Sequence, residues 1–352
     1  MTHHKKLAAI ATLLATTQIP MTASAQSNEG FQITPGTVLT VYGFVRAEAF
    51  YDLDRIQGDL TNTGGLQNLP ETDGNFNTSV RVSRLGFRIT SETDIGTIGG
   101  QLEYDLFGSG GSAELRLRHA NITVNNWLFG QFWTNFMPLG QYPTTSDFNG
   151  PVGITFARVP QVRYSGTSGN VDYSFSIEEA VGESDDPAFT AAAQYNSDAF
   201  TGRVAALLGT AGSGAQTDDS FGFTASVGVT PWEGGVINAT YTTGEGIGSY
   251  FIGGGPNLVN GVANDVDGFT VEVRQQISPK WNIGIAYGQE EYGEAGSAAG
   301  AFTDLETVHL NAFYNPTERI TVGLEYIIGE NTGANGNVVE ADRIGTSVTF
   351  RF

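Results

Sequence analysis

Arginine is the residue type whose placement in this 352-residue sequence points most directly to chemistry. Nine of the fifteen basic residues that follow residue 25 lie before Tyr164: Arg46, Arg55, Arg81, Arg84, Arg88, Arg116, Arg118, Arg158 and Arg163. All but Arg55 fall in segments that alternate apolar and polar residues, largely in the polar phase. Neighbouring strands of that kind would assemble a positive strip on one part of a water-facing wall. A guanidinium fork suits carboxylates and other oxyanions. Two readings stay open: the strip attracts and orients anions, or the arginines pair with Glu48, Glu103, Asp105 and Glu114 to stiffen the wall.

Little else is equipped for chemistry. Only His119 and His309 remain after residue 25, and neither sits in a G-x-S-x-G or H-E-x-x-H motif. A Ser–His pair brought together by folding is the remaining enzyme alternative; the expectation is a protein that is not an enzyme. The sequence has no cysteine, which removes disulfides, thiol nucleophiles and thiolate metal sites. Carboxylates gather at Asp52, Asp54 and Asp59, at 178–186, at Asp218–Asp219 and at Glu290–Glu294. None has the spacing of a calcium loop, so solvated loop charge is expected, with no metal or cofactor. Residues 1–25 hold Lys5, Lys6 and no carboxylate, leaving a formal charge of 15 − 37 = −22. That balance argues against nucleic acid as a partner.

The elements that must position the arginines begin after an address. Lys5 and Lys6, the apolar run Leu7–Leu14 and Ala23-Ser24-Ala25 make 1–25 a cleaved signal peptide, its run far short of the ~20 residues of a membrane helix. Residues 26–36 are expected to be a short periplasmic segment and 37–352 the barrel. Segments alternate almost throughout, each about as long as a transmembrane strand, roughly 9–11 residues. In Val38–Asp52, Leu39, Val41, Val45, Ala47 and Ala49 share one face, while Thr40, Arg46, Glu48 and Asp52 share the other. Sixteen such segments can be drawn, ending with Arg343–Phe352. Every other joint is short, whereas Leu53–Asn75, Phe136–Ala157, Glu245–Asp265 and Tyr292–Thr303 are long. A soluble sandwich has no reason to sort loop lengths by parity. The expected fold is all-β: a closed antiparallel transmembrane β-barrel of 16 strands with short periplasmic turns and long extracellular loops, integral to the bacterial outer membrane. Outer-membrane lipid and lipopolysaccharide would surround it. Tyr51, Trp127, Tyr195, Trp232, Trp281, Tyr314 and Phe352 sit near strand ends, where interfacial girdles lie. The parity slips between Arg81 and Arg84, which predicts a bulge near Ser83–Arg84. Phe136–Ala157, with Asp147 as its one carboxylate, either packs outward or folds into the lumen opposite the arginines.

The first half of the chain also resembles a known family. Leu39–Asp54 (LTVYGFVRAEAFYDLD), Ser83–Gly96 (SRLGFRITSETDIG), Gln101–Gly108 (QLEYDLFG) and Leu115–Ala120 (LRLRHA) are similar to DcaP-like trimeric outer-membrane porins. So are Trp127–Phe136 (WLFGQFWTNF), Asp147–Pro151 (DFNGP) and Pro160–Tyr164 (PQVRY). The resemblance implies a homotrimer with an arginine-lined constriction that passes small anions such as dicarboxylates. The matching positions are Arg46, Arg84, Arg88, Arg116, Arg118 and Arg163, with Asp147, Glu48, Glu103 and Asp105 as constriction-loop and acidic counterparts. Family members often carry an N-terminal coiled coil, for which Gln26–Gly36 is too short. The alternative is a non-selective general diffusion porin.

Overall fold

Alternation along a strand dictates two unlike faces, and Thr37–Asp52 (β1) shows which is which. Glu48, Phe50 and Asp52 are buried, while Val41, Val45 and Tyr51 are exposed. The same inversion runs through the sheet: Glu103, Glu272, Glu290 and Glu325 are buried, and Phe175, Leu208, Leu324 and Val348 lie outside. Water-soluble proteins do the reverse, so the outer surface is made for lipid. The computed structural model describes residues 30–109 and 113–352; the expected signal peptide and residues 26–29 lie outside the described residues.

After β1 come β2 in two parts (Asn75–Ser79 and Arg84–Thr93), β3 (Gly96–Asp105), β4 (Arg116–Val124), β5 (Trp127–Trp133) and β6 (Arg158–Ser168). Then follow β7 (Val171–Glu178), β8 (Ala188–Asn196), β9 (Phe200–Ser213), β10 (Gln216–Val229) and β11 (Gly235–Glu245). The circuit ends with β12 (Asp265–Ser278), β13 (Trp281–Tyr292), β14 (Phe302–Thr317), β15 (Ile320–Gly333) and β16 (Val338–Arg351). Each strand pairs antiparallel with the next, and β16 pairs back onto β1 from Phe44↔Arg351 to Asp52↔Arg343. The sheet is therefore a closed barrel of sixteen strands without a free edge along its wall. Joints on the rim that carries the C-terminus are tight, and the longest joints, 53–74, 134–157 and 246–264, lie on the opposite rim.

Three places differ from the expectation. Strands β9 and β10 meet at a two-residue turn, because the small residues Thr210–Ser213 pair with the polar Gln216–Asp219 and continue the ladder instead of forming a loop. Likewise β16 begins at Val338, five residues before the expected Arg343. Phe31–Thr34, within the expected periplasmic segment, pairs with the start of β1 from Phe31↔Leu39 to Thr34↔Thr37. It fills the line below Phe352, whose backbone exchanges hydrogen bonds with Gly43.

The bulge is present. Glu48 faces Ser79 and Phe44 faces Arg84, so four residues of β2 (80–83) oppose three of β1. Ser83 Oγ restores the interrupted ladder by accepting from Arg46 N at 3.0 Å and donating to Arg46 O at 3.2 Å. A second bulge lies in β4, where Glu103 pairs with His119 and Tyr104 with Leu117, leaving Arg118 as the extra residue. Such insertions re-aim side chains, and here they bring Arg118 and His119 inward side by side.

Candidate functional site

The 134–157 loop folds into the lumen and is tied to the wall by strand carboxylates. Asn135 N donates to Glu178 at 2.7 Å, Thr144 N to Glu272 at 3.0 Å, Asp147 N to Glu325 at 2.5 Å and Gly153 N to Glu290 at 2.9 Å. Each carboxylate is buried and takes up a backbone donor that would otherwise be orphaned in the interior. Gly153 sits at φ +91, and a Cβ there would stand 2.3 Å from Phe269 O; the loop lies flat on β12 and β13. Burial, and behind it the Asp147 carboxylate, holds the Tyr142 phenol well above its ordinary pKa, so it stays a neutral donor to Asn149 O.

The returning limb of this loop meets the 246–264 loop: Phe156 N donates to Tyr250 O at 2.8 Å and Ile252 N to Ile154 O at 3.2 Å. Phe136, Ile247, Tyr250 and Phe251 then pack against the inward faces of Ala188, Ala192, Ala205 and Leu207. Lumen-facing positions on β8 and β9 are apolar because a core covers them. This fill stands across the lumen from the arginine-bearing strands β1–β4.

On β2–β4 the guanidiniums sort into spent and unspent. Arg118 gives Nε to Glu103 at 2.8 Å and Nη1 to Asp105 at 3.0 Å, and it is 1% exposed. Arg116 holds Asp105 with two parallel bonds, at 2.9 and 2.7 Å, and is a third exposed. Arg84 approaches Glu103 at 3.5 Å and rests on the Phe44 ring. Tyr42 also donates to Glu103, at 3.1 Å. Arg88 lies over Tyr42 with no carboxylate within 4 Å among the described residues.

The remaining expected residues are placed apart from that group. Arg46 reaches the tip of the inward loop, donating to Ser146 O, and pairs with buried Glu48 at 2.8 Å. The Asp147 carboxylate is used within the loops: it accepts from Thr61 at 2.6 Å and from the backbone of Asn149 and Gly150, each at 2.9 Å. Arg163 donates to Trp133 O at 2.5 Å and lies 3.7 Å from Glu178. Arg203 sits nearby and donates to Asn135 O at 2.5 Å.

With the geometry in view, known proteins can be compared. Residues 19–180 match the family model described as DcaP outer membrane protein. The channel DcaP of Acinetobacter baumannii is similar in structure, with a TM-score of 0.83 at 23% identity over 92% of this chain and 99% of that one. An anion-selective porin from Comamonas acidovorans has a TM-score of 0.62 at 13% identity, over 90% of this chain and 100% of that one. OmpT of Vibrio cholerae in a trimer form scores 0.57 at 17% identity, over 90% of this chain and 100% of that one. No curated protein sequence matches. The chain is an integral outer-membrane β-barrel with the sixteen-stranded fold of these channels.

Arg158, which the resemblance does not single out among the arginines, stands beside this group. It opens β6 directly opposite Trp133, and its guanidinium stacks on Trp133 at 4.8 Å and Phe156 at 5.8 Å. In the sequence Trp133 is marked only by the motif that holds it, and Phe156 only by its place in a long loop. The alternation of polar and apolar residues carries no signal for such stacking. His119 packs on Phe132 and Trp133, and His309 meets Glu325 at 3.3 Å. Among the described residues, neither histidine hydrogen-bonds a serine hydroxyl.

Proposed function

We propose that the chain is a passive, water-filled channel that favours small anions, dicarboxylates among them. One observation carries this reading: among the described residues, Arg84, Arg116 and Arg118 share only two carboxylates, Glu103 and Asp105, and Arg158 joins Arg118 at the Trp133 ring without one, leaving the wall with an excess of positive charge. The inward loop narrows the lumen, and a field is strongest where water is excluded. The likeness to an anion-selective porin supports the same preference. A general diffusion porin is the second reading, favoured by the pairing of Arg46, Arg116 and Arg118 with carboxylates. Assembly as a homotrimer in lipid and lipopolysaccharide is part of the proposal. It is supported by the trimeric form of the similar OmpT and by an apolar groove of about 600 Å³ on the outer face of β2–β5, floored by Gly100 and Ala120.

Proteoliposome swelling tests the reading. Malonate and succinate salts are expected to enter faster than neutral or cationic solutes of the same size. Equal rates would leave the general diffusion porin. No swelling with demonstrably folded barrel would contradict a channel altogether.

A further inference from the structure

Arg158, like Arg88, has no counter-ion among the described residues, but it alone of the two has a buried guanidinium nitrogen without a partner. Arg46, Arg84, Arg116 and Arg118 all have a carboxylate within 4 Å, whereas Arg158 has none among the described residues. Its Nη1 is buried without a hydrogen-bond partner. The side chain as a whole remains half-buried, so it is reachable from solvent. An unpaired, partly desolvated guanidinium is costly unless an anion completes it.

Arg158 is held against aromatic rings instead of a carboxylate. The Trp133 indole lies against both guanidiniums, its ring centre 4.8 Å from the guanidinium carbon of Arg158 and 5.6 Å from that of Arg118. Phe156, itself 4.9 Å from Trp133, adds a second ring. Stacking holds a guanidinium by its faces and leaves the in-plane N–H edge for an oxyanion.

We propose that Arg158 is the point at which a carboxylate binds in transit and the residue that sets the anion preference, with Trp133 as its positioning residue. This rests on the anion-channel reading above. The test uses purified full-length channels in planar bilayers, with heat-modifiable migration as the check on folding. Arg158→Gln lowers the chloride-over-potassium permeability ratio severalfold, and Arg88→Gln, at an arginine without a buried unpartnered nitrogen, lowers it less. Arg158→Lys keeps the charge and the ratio but weakens block of the chloride current by malonate, because the fork is lost. Trp133→Leu lowers the ratio although Arg158 is present, and Trp133→Phe restores it. A ratio unchanged in Arg158→Gln, or malonate block unchanged in Arg158→Lys, overturns the binding role. A wild-type ratio in Trp133→Leu overturns the positioning role. If wild type itself lacks anion preference, the channel reading falls first and this one with it.

Discussion

Replacing Asp52 by Ala is expected to cost the barrel ~3–5 kcal/mol, the loss that follows when one partner of a fully buried ion pair is removed. Arg343 and Asp52 are both 0% exposed, with Nε 2.6 Å from Oδ1. The pair bridges β16 to β1, the seam at which the sheet closes. Loop 53–74 covers it, with Gly58 O accepting from Arg343 and Gln57 N donating to Asp52 at 3.0 Å. Without Asp52, the guanidinium keeps its charge, the Gly58 carbonyl and the Phe50 ring, but no counter-ion. Urea unfolding of the refolded barrel, followed by heat-modifiable migration, measures the loss. Asp52→Ala combined with Arg343→Leu should recover most of it, because the desolvated charge is gone. A loss below ~1 kcal/mol in the single variant would mean that the pair is solvated like a surface bridge.

The second large effect is expected from Gly288→Val. Gly288 faces inward on β13, and a Cβ there would stand 1.9 Å from Val152 O and 2.9 Å from Pro151 Cβ. The inward loop is seated on that bare backbone, with Val152 N bonded to Thr307 Oγ1 at 3.1 Å and Gly153 N to Glu290. A valine side chain has no room and pushes Pro151–Gly153 away from the wall, toward the arginines. Overpacking of this kind costs ~1–3 kcal/mol. Single-channel conductance should fall, and current noise should rise as the loop loses its pegs. Unchanged conductance with a wild-type noise level would mean that the loop does not define the narrow part of the lumen.

Much of this fold could be read before any coordinates, because a barrel wall repeats one simple rule. Inward and outward residues of β1 and β16 alternate as the side-chain types require. A single slip in that alternation at Arg81–Arg84 located the bulge to within a residue or two. The rule fails where something other than water fills the lumen. Ala188, Ala192, Ala205 and Leu207 face inward yet are apolar, since two loops bring a core to them. The end of β9 at Ser213 is hard to read because Thr210–Ser213 carries little hydrophobic contrast, and the start of β16 at Val338 because Glu340 and Asp342 share its run with valines and alanine.

The site was legible only as a list of arginines. Spent and unspent guanidiniums are set apart by pairings across strands far apart in sequence. Arg118 is consumed by residues on β3, and Arg46 reaches a loop one hundred residues away. Asp147 shows the same limit from the other side. As the one carboxylate of its loop it looked free to face the arginines, but Thr61 and the turn it caps use its oxygens. Arg158 carries no mark in sequence beyond its charge. Its ring partner Trp133 stands beside it because β5 and β6 are paired, a contact between residues 25 positions apart.

The reversal potential of the refolded wild-type channel under a KCl gradient, measured beside the double variant Arg84→Ala with Arg116→Ala, tests the central claim most directly. Anion preference in wild type that falls in the double variant is the predicted result. Cation preference in wild type would contradict it, placing control of access with the acidic loops instead of the arginine wall.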